Sequence, residues 1–273
     1  MNHEREANRR NWDERAAVHP DSDYYDVDGF LAGESSLWDL ERDELGPHVD
    51  DATTMLHLQC HFGLDSLSWA REGARVTGVD FSGEAVRTAE ELADEADLAD
   101  RTEFVEADVL ELELDREFDV VFTSYGVLCW LADIEAWADT VARHLAPGGV
   151  FYIAENHPLG GMFESVAGDT AELAYPYFSG ETMHFDVQGS YASDAEFEHT
   201  DHYEWAHSLG DVVTALASRG LTIEFLHEQP WCTWQRFETM EEDDRGRFWL
   251  PEDVPVDLPL TFSLKARKEE LEG

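Results

Sequence analysis

The chain of 273 residues carries 61 Asp and Glu against 18 Lys and Arg, a formal net charge of −43, while 43% of its residues are hydrophobic. That apolar share excludes wholesale disorder and supports one large domain, or one domain with a cap. The scarcity of cations argues against a nucleic acid substrate, because phosphate contacts need Lys and Arg.

The acids are spread along the whole length, between apolar positions that keep their periodicity, so the charge belongs to a surface and not to a tail. A fold this acidic repels itself in dilute buffer, and molar salt, with a Debye length of roughly 3 Å, relieves that. We read adaptation to a salt-rich cytoplasm in preference to a basic partner. Cys60, Cys129 and Cys232 lie far apart, as expected of reduced thiols in a cytosolic protein. The first twenty residues lack the apolar core of a signal peptide, and the longest apolar run, 120–132, is interrupted and too short for a bilayer. A soluble cytoplasmic protein without a membrane partner is expected, as monomer or homodimer.

Residues 1–50 read as an N-terminal helical and aromatic segment: a polar helical start, the aromatic turn "DYYDVDGF" and a further helix ending near Gly46-Pro47. From 54 to 155 strands and helices alternate. The predicted strands are 54–59, 75–80, 102–107, 118–124 and 150–155, each short and rich in β-branched or aromatic residues. Between them, a helix is predicted over 65–72 with Asp65 as its cap, a second capped by Ser82, and a third capped by Asp133 and stopped by Pro147-Gly148-Gly149. Such alternation implies right-handed crossovers and a parallel sheet covered on both faces, an α/β doubly wound fold. After Glu155 the alternation lapses over about 156–207. A structureless loop of that length is improbable in a compact domain, so an inserted cap or antiparallel element is predicted there. Ser208 and Asp211 then open a helix, and strands at 221–228 and 260–266 suggest an antiparallel hairpin at one edge of a mostly parallel, seven-stranded sheet.

In a doubly wound sheet, ligands sit beyond the carboxyl ends of the strands, beside the first strand. That places 59–63 in the site. Asp80 ends the second strand, where an acid takes ribose hydroxyls, and Asp108 in "VEADVL" ends the third, where adenine's amine needs an acceptor.

The stretches "LHLQCHFGLDSL", "VTGVDFS", "VEADVL", "FDVVFTSYGVLCWL" and "LAPGGVFYIAE" together resemble class I, Rossmann-like S-adenosylmethionine-dependent methyltransferases of the small-molecule branch. The resemblance covers roughly 54–155 and makes 51–273 the methyltransferase domain, with the insertion as its substrate cap. It departs from the family's glycine-rich "GxGxG" loop at "QCHFG", where only Gly63 remains. A dinucleotide's pyrophosphate needs several glycines and bare amides, whereas S-adenosylmethionine has no phosphate. The departure therefore weakens the alternative of an NAD-dependent oxidoreductase more than that of a methyl donor; a non-enzymatic binder of the donor is the other alternative.

The resemblance implies that Gln59, Cys60 and Gly63 line the methionine and ribose side, that Asp80 holds the ribose, and that Phe81 packs on adenine. Asp108 and the backbone of Val109 then read the adenine edge, and Ser124 with Tyr125 close the site. Trp12, Tyr24 and Tyr25 are placed to fold over the donor, where a ring beside a sulfonium gains about 1 kcal/mol, or to dock the first helix by ordinary packing. Methyl transfer is an in-line displacement that depends mainly on alignment, so no base is obligatory. His157, directly after the fifth strand, and Tyr125 are the catalytic candidates; Asn156, His157, His184, His202 and Tyr203 are candidates for holding a small-molecule acceptor. "HLQCH" invites a metal, but His57 and Gln59 share a strand face, Cys60 begins the loop and no partner pair follows, so no metal is expected.

Overall fold

The computed structural model describes residues 3–178 and 180–270. Its helices α1 (His3–Val18), α2 (Val27–Leu31) and α3 (Asp39–Glu44) precede an alternating series: β1 (Thr54–Leu58), α4 (Leu64–Arg71), β2 (Arg75–Asp80), α5 (Gly83–Glu95), β3 (Thr102–Glu106), β4 (Phe118–Ser124), α6 (Ile134–His144) and β5 (Leu145–Asn156). A one-turn α7 (Pro158–Gly161) leads to two hairpins, β6 (Phe163–Ala167) with β7 (Thr170–Leu173) and β8 (Met183–Asp186) with β9 (Asp201–Glu204). Then follow α8 (Leu209–Ser218), β10 (Leu221–Gln229), the short strands β11 (Trp231–Cys232), β12 (Glu241–Glu242) and β13 (Phe248–Trp249), and β14 (Thr261–Lys268).

Seven strands form the main sheet in the order β10-β14-β5-β4-β1-β2-β3. Only β14 runs antiparallel, wedged between β5 and β10, so the sheet is mostly parallel with one reversed strand near its edge. The chain builds β1, β2 and β3 outward and then returns to β4 on the other side of β1. The loops after β1 and β4 therefore part in opposite directions and open a crevice at the strands' carboxyl ends.

Both faces are covered, as near-continuous apolar strands require. On one face Trp137 and Val141 of α6 and Val212 and Leu216 of α8 pack on Val121, Phe151 and Leu264. On the other, Trp69 of α4 and Leu45 meet Met55, Phe122 and Tyr152, and Val86, Ala89 and Leu92 of α5 meet Phe62 and Phe104. Full burial of each such side chain stabilises by roughly 1.5–3 kcal/mol.

The helix starts follow local chemistry. Ser82 Oγ accepts from Ala85 N–H at 3.1 Å, Asp133 accepts from Glu135 and Ala136 N–H, and Ser208 with Asp211 forms a reciprocal capping box. Asp65 is not a cap. The cap position of α4 is Gly63 at φ +83°, where a Cβ would come within 2.9 Å of Ala89 Cβ and Phe104, so both handedness and packing require glycine. Nor does Pro147-Gly148-Gly149 end α6: the helix stops at His144, and these residues already belong to β5.

A second insertion was not foreseen. Residues 231–259 leave the sheet between β10 and β14, form the three-stranded element β11-β13-β12, and pack Cys232, Phe237 and Met240 on Val166 of the first insertion. The polar helix α1 lies across the first insertion by side-chain staples. Asn8 Nδ2 donates to Tyr203 O while Asn8 Oδ1 accepts from Tyr203 N–H, both at 2.7 Å, and Asn11 Nδ2 donates to His199 O. Among the described residues no helix is long and apolar enough to cross a membrane.

Candidate functional site

A cavity of about 1180 Å³ opens at the carboxyl ends of β1, β2, β4 and β5 and runs beneath α1 and the β8–β9 hairpin. It has room for a nucleoside and a second small molecule together. Its floor is the loop after β1. Gln59 and His61 hold φ +56° and +51°, left-handed values that cost side-chain-bearing residues roughly 1–3 kcal/mol each. The loop thus keeps a glycine-loop backbone without the glycines. The retained side chains both make contacts: Gln59 Nε2 donates to Val127 O at 2.9 Å, tying the β1 loop to the β4 loop, and the His61 ring reaches the roof. Gln59 Oε1 is buried without a partner among the described residues. Cys60 borders the cavity and is buried, with its sulfur toward Gly78.

At the tip of β2, the Asp80 carboxylate is only 7% exposed and is gripped by two amides, accepting from His61 N–H and Ser82 N–H, both at 2.9 Å. Burial pushes it up to about 6 despite those hydrogen bonds. Phe81 lines the cavity beside it. Beyond β3, Asp108 accepts from Arg5 at 2.6 Å and from Leu110 N–H at 2.9 Å, so α1 already covers it. Val109 is buried at the wall and its carbonyl accepts from Thr140 Oγ1 at 2.8 Å.

Ser124, at the tip of β4, donates to Asp65 Oδ2 at 2.9 Å and stands 3.3 Å from His57 Nε2; Ser36 Oγ donates to Asp65 Oδ1 at 2.7 Å. Burial raises Asp65 above the usual carboxylate range and pushes His57 down to about 3, so His57 is neutral. Burial and the neighbouring Glu41 carboxyl push the Tyr125 phenol far above its ordinary value, which keeps it protonated. Next on β5 comes Glu155, which was missed. It is 3% exposed, and its carboxylate accepts from the N–H groups of Gly126, Val127, Leu128 and Asn156, fixing the loop after β4. Asn156 also borders the cavity.

The roof is aromatic. Trp12 meets His61 and Trp130 edge-on at 5.3 and 5.2 Å, and the hydroxyls of Tyr25 and Tyr191 are hydrogen-bonded to each other. Tyr24 donates to Thr233 O at 3.3 Å. The fully buried His19 stands 2.9 Å from His61 Nε2 through Nδ1 and 2.9 Å from Ser190 Oγ through Nε2. Burial lowers both imidazoles, His19 to about 3, so both are uncharged at neutral pH.

Two of the acceptor candidates, His184 and Tyr203, fall elsewhere, while His157 borders the cavity. His157 Nδ1 accepts from Leu159 N–H at 3.1 Å, capping α7, and its Nε2 lies within ion-pair distance of Glu228 Oε1, 2.9 Å. With its lone pair committed it is a loop anchor, not a base. His184 and Tyr203 face away, because strand alternation turns Met183, Phe185, His202 and Glu204 to the cavity and their neighbours outward. There His184 stacks on Tyr203 at 4.8 Å and pairs with Asp201 at 2.7 Å. His202 is on the cavity side, between Trp130 and Phe185.

The sheet order, with acids at its strand tips, is that of the class I, Rossmann-like methyltransferase fold. Residues 56–151 match a family described as "methyltransferase domain". Among curated proteins the chain is similar to a cypemycin N-terminal methyltransferase of Streptomyces sp., 33% identical over 46% of this chain and 50% of that protein. It is also similar to a ubiquinone biosynthesis O-methyltransferase of a Methylobacterium strain, 34% identical over 41% of this chain and 45% of that protein. The matches thus span about half the length of these curated relatives. An S-adenosylmethionine-dependent methyltransferase structure from Mesorhizobium loti shares the fold at TM-score 0.60 and 20% identity, over 87% of this chain and all of that one.

Proposed function

We propose that this protein transfers a methyl group from S-adenosylmethionine to a small-molecule acceptor. The observation that carries this reading is one continuous cavity joining the Asp80 and Gln59 end of the sheet to a walled space under the inserted hairpins. A donor and an acceptor must share such a space.

When bound, the donor supplies an electrophilic methyl group on a sulfonium sulfur. The residues present fit it: the Asp80 carboxylate keeps lone pairs for ribose hydroxyls, and Phe81 offers a ring face to adenine, with Val109 and Asp108 at the adenine edge. Gln59 Oε1, buried without a partner, suits the ammonium of the amino-acid end, together with Ser124 and the Gly63 turn. Trp12, Tyr24 and Tyr25 roof the donor, and Asn156 and His202 border the acceptor. With His157 and Tyr125 unsuited to take a proton, rate acceleration rests on alignment and exclusion of water. The acidic surface fits a salt-rich cytoplasm, and a free small molecule fits this enclosed cavity better than nucleic acid or a membrane does. The protein acts as a monomer or homodimer.

Titration calorimetry with S-adenosylhomocysteine and with NAD tests the donor. Binding of the first alone is expected; binding of NAD alone overturns the reading. Transfer of labelled methyl groups to a panel of oxygen, nitrogen, sulfur and carbon nucleophiles then separates an enzyme from a binder, since fold does not fix chemistry.

A further inference from the structure

Acids outnumber bases by 61 to 18 in this chain, so a basic side chain has carboxylates in excess to pair with. Nearly all take one. Apart from Arg15, Arg71, Arg75 and Arg236, every Lys and Arg has a carboxylate oxygen within ion-pair distance. Arg71 and Arg75 are exposed, and Arg236 is half-buried and donates to Phe163 O.

Arg15 is different: it is 7% exposed, lines the cavity, and has no carboxylate partner among the described residues. Its Nε donates to Asn11 Oδ1 at 2.7 Å, and its guanidinium lies 5.1 Å from the Trp12 ring centre and 5.5 Å from that of Trp130. These contacts fix the stem and leave both Nη groups without a partner among the described residues. Glu204, whose charge is felt at Arg15, is turned to His202 Nε2 at 3.4 Å. A buried guanidinium left unpaired is costly, and burial does weaken its hold on the proton. An incoming carboxylate would relieve that cost by a forked pair of charge-assisted hydrogen bonds.

We propose that Arg15 is the carboxylate anchor of this cavity, its two Nη groups receiving the carboxylate of a bound ligand. Two ligands can bring that group: the donor, at its amino-acid end, or the acceptor. The proposal rests on the donor reading for the first source only.

Calorimetry on wild type and Arg15→Met decides it, with S-adenosylhomocysteine and with S-adenosyl-3-thiopropylamine, which differs from it only by lacking the carboxylate. If the donor is the source, wild type prefers S-adenosylhomocysteine at least tenfold, and Arg15→Met closes that gap without weakening the amine. If the acceptor is the source, both nucleosides bind the variant as they bind wild type, while benzoate, but not benzamide, binds wild type saturated with S-adenosylhomocysteine and is lost in the variant. A gap that persists in Arg15→Met, with no carboxylate probe distinguishing it from wild type, overturns the proposal. If neither nucleoside binds wild type, the donor reading fails by itself, and benzoate against benzamide on the free protein still tests the anchor. Arg15→Lys, which keeps charge and stem but not the fork, replaces Arg15→Met should the latter fail to unfold cooperatively; a partial, severalfold loss is then expected.

Discussion

The sheet tips and the layer above them hold their functional groups in different ways. At the tips, carboxylates are fixed by backbone amides on strands paired on both sides: Asp80 by two, Glu155 by four. Above them, the N-terminal segment is held on the hairpins and loops by its side chains and rings, as in Asn8 with the Tyr203 backbone, Tyr25 with Tyr191 and Trp12 with Trp130. Backbone-held groups change place only if the sheet changes. Side-chain staples can be rebuilt by single substitutions, and this is where a site is free to vary its ligand.

Salt should break the comparison most severely. At a net charge of −43, lowering salt below about 0.5 M should abolish cooperative thermal unfolding. Amide exchange should rise first in α1 and the hairpins and last in β1, β4 and β5. Exchange that rises uniformly, or stability undiminished in dilute buffer, would sink this account. Glu155→Ala comes next: it orphans three amides in the loop after β4 and that of Asn156, a loss of about 3–5 kcal/mol, seen as a fall in Tm of roughly 10 °C.

Asp80 sharpens the contrast by pH. Its native value of about 6 lies above its ordinary 3.8, so the folded protein holds this proton more tightly than the unfolded chain does. Stability from this group is therefore greatest at low pH, falls as pH rises from about 4 to about 6, and is level above. Ribose hydroxyls donate to the ionised form, so affinity for S-adenosylhomocysteine should fall as pH drops through 6. In Asp80→Asn affinity should be at least tenfold weaker and flat across that range; an unchanged affinity removes Asp80 from the site. The smallest effect belongs to His184→Ala, on the outer face of the β8–β9 hairpin, where binding and turnover should stay within twofold of wild type.

Much of the sheet and of its tips could be read in advance because period and position there are set by the backbone itself. Ser82, Asp133 and Ser208 announce their helices, and the seven strands announce themselves by apolar runs. Asp65 misled because a carboxylate two residues past a glycine is spelled like a cap, whereas the left-handed Gly63 takes that role. His184 and Tyr203 misled because one register step decides which face of a hairpin sees the cavity. Arg15 and His19 were illegible for a different reason: they meet the site through the fold-back of the N-terminal segment, and no local spacing encodes where a polar helix docks. The 231–259 insertion hid because its strands are two residues long.

The mirror-handed backbone at positions 59 and 61 makes the smallest residue an unusually clean probe. Elsewhere a change to glycine loosens the unfolded chain and costs stability; here release from the wrong-handed twist offsets that penalty, each effect being about 1 kcal/mol. In Gln59→Gly and His61→Gly the relief of backbone strain roughly cancels the glycine penalty, so any fall in melting temperature reports the Val127 hydrogen bond and the ring contacts that these side chains make.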